Sequence, residues 1–206
     1  MSQTLQTALT HAGKRLSGAG IEDSRREARI LLAFVLGIDA LQVSLRLDET
    51  LTAEQSAAFE AALKSRMAHV PMSHILGYRE FYEQRFIVTP DVLDPRPETE
   101  ELGARALSAP FQNVLELGVW SGCILLSLLA VSSSACGVAV DCSAKALDVA
   151  RRNAAKLQLT ERVRFCRSDW FAEDSHARFA PFSTNAHPFC LLSPSYVSHH
   201  ASALAC

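Results

Sequence analysis

The fold is decided by one stretch near the middle of the chain, Asn113-Val-Leu-Glu-Leu-Gly-Val-Trp-Ser-Gly-Cys-Ile-Leu-Leu-Ser-Leu-Leu129. An apolar run leads into a turn bracketed by Gly118 and Gly122, and a second apolar run follows. This pattern predicts a buried strand, a tight turn and a helix. In an open α/β sheet such a turn lies at the carboxyl end of a strand, where ligands bind. Trp120, the largest side chain available, stands between the two glycines.

The composition is typical of a water-soluble globular protein, with 49% hydrophobic and 20% charged residues and a formal net charge of −2. This balance gives no electrostatic reason to expect direct nucleic-acid binding. The apolar tracts are too short to span a bilayer, and the first residues lack the pattern of a signal peptide. Six cysteines without C-x-x-C spacing predict free thiols, no metal site and a cytoplasmic location.

The first 69 residues predict helices only. A first helix is expected from Thr4 to Leu16. Two segments, Ser24-Arg-Arg-Glu27 and Thr52-Ala-Glu-Gln55, have the spacing of a capping box, and the second should open a helix to about His69. The sequence therefore predicts a small helical bundle with a structural or docking role.

The residue pattern changes from helical to strand-forming after Val70. The segment from Val70 to Pro90 predicts a β-hairpin, and the prolines at 95 and 97 precede an acidic helix start that should continue through Leu107. Beyond the central loop, the residues predict a strand over 137–141, a helix over 144–157 capped by Ser143, and a strand over 163–169. Strands that alternate with helices predict a parallel sheet with right-handed crossovers.

Asp141 follows the glycine turn at the distance that is typical of a nucleotide site. The glycines admit the ligand, and a carboxylate about 20 residues further on takes the ribose hydroxyls. Past Asp174 the sequence shifts again, because Arg178 is the only charged side chain left. That tail is interpreted either as an irregular cover over the sheet edge or as out-of-frame sequence, and the second interpretation is preferred.

Five segments resemble the bacterial peptide chain release factor glutamine N5-methyltransferases, the PrmC/HemK family. They are His74-Ile-Leu-Gly-Tyr-Arg-Glu-Phe-Tyr82, Pro95-Arg-Pro-Glu-Thr-Glu100, Val138-Ala-Val-Asp-Cys-Ser143, Ala146-Leu-Asp-Val-Ala-Arg-Arg-Asn153 and Ser168-Asp-Trp-Phe171. The resemblance covers about residues 1–174. It implies a helical docking domain over 1–72, a hairpin linker over 73–92, and a methyltransferase domain over 93–206 whose tail is atypical from about 175.

The implied fold is a Rossmann-like class I methyltransferase domain with an incomplete sheet, and the implied cofactor is S-adenosylmethionine (SAM). The implied substrate is the glutamine of the Gly-Gly-Gln motif of peptide chain release factors, methylated on its side-chain amide nitrogen. The amide nitrogen is aligned for in-line attack on the sulfonium methyl, so orientation supplies most of the rate effect.

The resemblance also assigns site residues. The loop of Gly118, Val119, Trp120, Ser121 and Gly122 would hold the methionine moiety of SAM, Asp141 the ribose, and Trp170 the adenine. The family's Asn-Pro-Pro-Tyr motif is replaced by Ser193-Pro-Ser-Tyr196, so Ser193, Pro194 and Tyr196 are expected to orient the amide, and Ser193 also to contact the cofactor. Counting from Trp170 would favour Asn185 instead of Ser193.

Three departures from the family predict that the activity is reduced or lost. Val119 and Trp120 replace a threonine and the central glycine of the family's loop, the Asn-Pro-Pro-Tyr motif is absent, and the family continues beyond Cys206. A bulky side chain at the position of the central glycine would clash with the loop or fill the pocket. Two alternatives remain, a non-catalytic module that binds release factor and a degraded gene product.

Overall fold

The computed structural model describes residues 3–96, 99–107, 111–168 and 189–192. Contacts between Cα atoms divide the chain into two compact units, Met1–Leu76 and Gly77–Cys206. Each unit is described by itself below. The boundaries at residues 72 and 92 that the sequence suggested stay predictions.

The first unit is helical, as the sequence predicts. Its helices are α1 (Leu5–Gly18), α2 (Ser24–Leu36), α3 (Ala40–Val43), α4 (Ala53–Met67) and α5 (Met72–Leu76). Leucines from α1 and α2 (Leu5, Leu16, Leu31, Leu32) meet Phe59 and Leu63 of α4 in a single core. Helical spacing puts these residues on one face of each helix, and burying those faces holds the bundle together.

Only one of the two predicted capping boxes forms. In the box at Thr52 the side chain accepts from the Gln55 N–H, and the Gln55 side chain accepts from the Thr52 N–H. The box at Ser24 is wrong, because Ser24 is already helical and the residue before it makes no side-chain cap bond. Glu27 instead forms an ion pair at 2.6 Å with Arg66 of α4, in which both side chains are mostly buried. A charge-assisted bond between two helices replaces the weaker local cap.

The predicted hairpin forms, and it is shorter than its sequence segment. Strands β1 (Tyr78–Phe81) and β2 (Gln84–Ile87) pair antiparallel, and the residues just before Gly77 belong to α5. The turn residues Tyr82 and Glu83 have φ of 47° and 59°. Two positive φ values in a two-residue loop define a type I′ turn, whose twist matches that of the strands.

The hairpin packs on the core of the second unit. Phe81 and Phe86 are buried in the same cluster as the helix that follows the central loop. At the turn, the Tyr82 hydroxyl donates to the Glu100 carbonyl at 2.9 Å, in helix α6 (Thr99–Leu107). A Cβ at Gly103 would approach the Tyr82 ring to 2.8 Å, so glycine allows this close packing. The predicted helix through Leu107 is confirmed.

The second unit contains a parallel four-stranded sheet in the described part of the chain. Its elements are β3 (Asn113–Leu117), α7 (Cys123–Val131), β4 (Cys136–Asp141), α8 (Ala144–Lys156), a 3₁₀ turn (Thr160–Arg162), β5 (Val163–Arg167) and β6 (Phe189–Leu192). The strand order is β5-β4-β3-β6. Three strands joined by two helices step one way from β3, and a fourth strand lies on its other side, which confirms the Rossmann-like fold with an incomplete sheet.

Helix α7 is buried over its first seven residues. Its residues from Cys123 to Leu129 are all buried, and Leu125 lies so close to the sheet that a Cβ on Gly137 would meet its Cδ1 at 2.7 Å. A helix that is apolar all round belongs in a core, so the unit depends on having both faces of α7 covered. Within the described ranges, no helix has both the length and the apolar character needed to cross a bilayer.

Candidate functional site

The strand order places a ligand crevice beside β3. The chain leaves β3 for β4 on one side and returns to β6 on the other, so the order reverses between β3 and β6. In open α/β sheets ligands bind outside the carboxyl ends of the strands at such a reversal. The loop over 118–122 begins at the end of β3, and Asp141 ends β4. The geometry therefore brings together the loop and the carboxylate that the sequence paired.

The loop keeps a glycine-type backbone although a tryptophan stands in it. Gly118, Trp120 and Gly122 have φ of 73°, 49° and 79°. Left-handed backbone costs a residue with a Cβ about 1–2 kcal/mol, so Trp120 is held there by its surroundings. Val119 and Ser121 are buried, and Val119 belongs to the main apolar cluster of the unit.

The Trp120 side chain packs into an apolar cluster formed by residues outside the loop. Its partly buried indole lies against Val88 and Val92 from the segment after the hairpin, and against Ala146 and Val149 of α8. The indole Nε1 is buried and has no hydrogen-bond acceptor among the described residues. This packing contributes the favourable free energy that offsets the backbone strain, because a half-buried indole removes a large apolar area from water.

Asp141 binds the loop itself. Its Oδ2 accepts from the Trp120 N–H at 3.0 Å, and its Oδ1 accepts from the Ser143 N–H at 2.9 Å. The residue is only 4% exposed. A carboxylate has about four acceptor sites, so two remain for a ligand. The N–H groups of Gly118 and Val119 both donate to the Val140 carbonyl, which turns them away from the crevice.

Glu116 is a second buried acid beside the loop. Its Oε2 accepts from the Leu125 N–H at 3.1 Å, at the start of α7. Burial raises the pKa of Glu116 to about 8 in net effect, with a smaller raising contribution from the nearby Asp141 and a lowering contribution from the Leu125 N–H. Glu116 is therefore mostly protonated near neutral pH, and it links the strand before the loop to the helix after it. A lone acid inside an apolar run was the sequence signal for this residue.

Asn153, which the sequence marks only as part of a family-like segment, connects the central loop to the hairpin. The side chain is fully buried. Its Nδ2 donates to the Ser121 carbonyl at 2.8 Å and to the Ile87 carbonyl at 3.0 Å, while its Oδ1 accepts from the Ile87 N–H at 2.7 Å. One amide thus ties the central loop to the end of β2. No local sequence pattern could reveal this role, because the partners lie 66 and 32 residues away.

The described residues fit the cofactor that the resemblance implies in their backbone, and they differ from the family's loop at Trp120. The loop has the left-handed backbone at positions 118, 120 and 122, and Asp141 keeps free acceptor sites. The indole of Trp120 packs against Val88 and Val149 beside the loop. The loop backbone and Asp141 are therefore the parts of this site that suit SAM.

Several predicted site residues lie outside the described residues, namely Trp170, Ser193, Pro194 and Tyr196, as does the alternative Asn185. Strand β6 ends at Leu192, one position before Ser193 in the sequence, and pairs in register with the end of β3. In the part of the chain that is described, no group of three or more His, Cys, Asp or Glu could hold a metal ion. Burial raises the pKa of the Cys123 thiol to about 12, so this thiol stays protonated.

The chain is similar to known proteins over both units. A family model described as the PrmC N-terminal domain matches residues 7–77. A release factor glutamine methyltransferase from Cereibacter sphaeroides is 48% identical over 165 residues, which cover 80% of this chain and 59% of that protein. The same enzyme from Rhodospirillum rubrum is 42% identical over 161 residues, covering 77% of this chain and 50% of that protein.

A bifunctional methyltransferase from Rickettsia conorii is 33% identical over 227 residues, covering 97% of this chain and 42% of that protein. An alignment of this coverage extends into the segment after residue 174. The chain spans about half the length of the curated relatives it matches.

Two solved structures align with lower overall similarity. A SAM-dependent methyltransferase from Geobacter sulfurreducens, in complex with S-adenosyl-L-homocysteine, is 31% identical with a TM-score of 0.32, covering 36% of this chain and 30% of that chain. An O-methyltransferase from Bacillus cereus is 22% identical with a TM-score of 0.39, covering 69% and 59%. With such low TM-scores the fold assignment depends on the strand order instead. On the sequence matches in both units, the chain is similar to the release factor glutamine methyltransferases of these bacteria.

Proposed function

We propose that this chain acts in the methylation of peptide chain release factors, within translation termination in the cytoplasm. The reaction is methyl transfer from SAM to the side-chain amide nitrogen of the glutamine in the Gly-Gly-Gln motif. One observation carries the proposal: the loop over 118–122 is hydrogen-bonded to Asp141 at the reversal of strand order. That arrangement suits a nucleoside whose ribose meets an acid and whose charged tail meets a glycine loop.

The proposed roles follow the positions in the site. The loop residues Gly118 and Gly122 approach the methionine moiety, and the free acceptor sites of Asp141 take the ribose. Trp170 is proposed to line the adenine pocket. Ser193, Pro194 and Tyr196 are proposed to orient the substrate amide, since Ser193 is the next residue after β6, which ends beside β3.

Trp120 is proposed to reduce or abolish the activity of this chain. The indole takes space next to the loop, where it packs against Val88, Val92, Ala146 and Val149. Replacing Trp120 by glycine removes the indole and keeps the left-handed backbone without strain. SAM should therefore bind the W120G variant better than the unmodified chain.

Isothermal titration with SAM tests this directly. We expect no detectable binding at micromolar SAM for the unmodified chain, and binding in the micromolar range for W120G. Micromolar binding by the unmodified chain would show that Trp120 is compatible with the cofactor. A methyl-transfer assay with labelled SAM and purified release factor should follow the same order.

A non-catalytic module that holds release factor is the second candidate function. The first unit supports it, because its core is closed by its own helices and includes Phe59, Leu31 and Leu32. A pull-down with release factor, set beside the transfer assay, separates the candidates. Binding without transfer selects the module, transfer selects the enzyme, and the absence of both selects a degraded gene product.

A further inference from the structure

A groove lies between α1 and α2 of the first unit. It has a volume of about 490 Å³ and is lined by the cations Lys14, Arg25 and Arg29 and the hydroxyls Ser17 and Ser24. Gly13 also lines it, and a Cβ there would lie 3.6 Å from Arg25 Cγ, an ordinary contact distance. The groove therefore has a residue of α1 and a residue of α2 in close proximity along its lining.

The cations of this groove differ from every other cation of residues 3–69. Five of the eight lysines and arginines form ion pairs, namely Arg15 with Glu60, Arg26 with Asp23, Arg46 with Glu49, Lys64 with Glu60, and Arg66 with Glu27. The remaining three are Lys14, Arg25 and Arg29, and each lines the groove. None of these three forms an ion pair with any residue that the structure describes.

The clustering of the three unpaired cations around one groove has an electrostatic consequence. Residues 1–69 contain eight cationic and eight acidic side chains, so unpaired cations are not forced by an excess of positive charge. Three like charges around one groove repel each other, and an anionic ligand would reverse the sign of that interaction. Two of the three are arginines, whose planar guanidinium groups bind carboxylates through paired hydrogen bonds.

The shape and charge favour an acidic peptide over a nucleic acid. Proteins bind nucleic acid through an extended basic stripe, on a domain that carries an excess of positive charge. Here the basic residues form one short cluster on a unit of balanced charge. The volume of the groove suits a few side chains, and the two serine hydroxyls add neutral donors to the rim.

We infer that the α1/α2 groove is a docking site for an acidic segment of the protein partner, recognised by Lys14, Arg25 and Arg29. The identification of that partner as the release factor rests on the proposed function above. The site lies on the first unit and contains no residue of the cofactor loop, so it concerns recruitment rather than methyl transfer.

The test uses the full chain and two matched variants. The groove variant carries K14A, R25A and R29A, and the control variant carries R26A, R46A and K64A, which removes the same charge from exposed, weakly paired positions of the same unit. Alanine is a strong helix former, so both variants should keep their helices, as circular dichroism would verify. The probes are a short fluorescein-labelled peptide of alternating Glu and Ser, a single-stranded RNA of similar length, and purified release factor.

We expect the groove variant to bind the acidic peptide and the release factor about tenfold more weakly, while the control variant stays close to the unmodified chain. Equal weakening in both variants, or no peptide binding by the unmodified chain, overturns the proposal. Tighter groove-dependent binding of RNA than of peptide overturns the choice of an acidic peptide. Peptide binding that depends on the groove, without any binding of release factor, supports the site and contradicts the proposed partner.

Discussion

The main-chain N–H of Trp120 donates to Oδ2 of Asp141 at 3.0 Å, and this bond joins the loop after β3 to the end of the neighbouring strand. The bond explains how a bulky residue keeps the backbone of a glycine. Strand β4 also fixes the shape of the loop, because its Val140 carbonyl accepts from the N–H groups of Gly118 and Val119. The side chain at position 120 packs in an apolar environment that includes Val88 and Val149.

Strain at Trp120 can be measured by comparing two substitutions. W120A and W120G lose the same indole packing, and only alanine retains a Cβ at a φ of 49°. We expect W120G to be more stable than W120A by about 1 kcal/mol, because glycine adopts the left-handed region without a steric penalty. Urea denaturation measures the difference. Equal stabilities would mean that the loop leaves this conformation once the indole is removed.

The buried acid at Glu116 predicts a pH-dependent stability. Burial raises its pKa from 4.5 in the unfolded chain to about 8 in the folded chain. The folded state therefore binds the proton more tightly, so this stabilisation is fully present below pH 4.5 and is lost as the pH rises towards 8. We expect the free energy of unfolding to fall by up to about 1.4 kcal/mol per pH unit in that window.

The control for this dependence is E116Q, which is neutral and can still accept from the Leu125 N–H. It should have a flatter stability profile between pH 5 and 8 and a higher relative stability at the alkaline end. If E116Q follows the same curve as the unmodified chain, Glu116 is not the titrating group.

The two predicted capping boxes provide a matched pair of substitutions. T52A removes a formed capping bond to the Gln55 N–H, so we expect it to destabilise the first unit by about 1 kcal/mol. S24A removes a hydroxyl that makes no cap bond, and its effect should be near zero. Thermal unfolding of both variants measures the contrast. A cost for S24A equal to that for T52A would contradict the observed cap at the start of α2.

Asn153 should be one of the most sensitive polar positions in the second unit. N153L keeps a similar volume and leaves the N–H and carbonyl of Ile87 and the carbonyl of Ser121 without their partner. We expect a loss of about 3 kcal/mol in the free energy of unfolding, since buried polar groups are left unpaired. Q112L, at an exposed position, is the control and should be nearly neutral. A small effect of N153L would mean that water replaces the amide.

The sequence predicted those features that local chemistry determines. Apolar periodicity and capping residues located α1, α2 and α4 of the first unit and the strands β3, β4 and β5, and Ser143 caps α8 as expected, whereas α3 and α5 were not predicted. The pairing of the glycine loop with Asp141 also followed, because parallel strands end at one edge of a sheet. Strand β6 consists of a short apolar run, Phe189-Cys-Leu-Leu192, just before Ser193.

Features that depend on distant partners could not be predicted. The capping box at Ser24 had the right spacing, and Glu27 preferred Arg66, which is 39 residues away. The indole of Trp120 packs against residues from two other segments, which its sequence neighbours do not reveal. The three-way bond of Asn153 has no sequence signature at all.

The burial of Phe81 and Phe86 in the same apolar cluster as helix α7 has a consequence for how the chain can be divided. A fragment that starts at residue 93 would lack both phenylalanines, expose part of that cluster to water and tend to aggregate. A fragment that starts at Gly77 keeps both phenylalanines in the cluster. For expression of the sheet unit alone, the hairpin is therefore an indispensable part of the folding unit and not a removable connector.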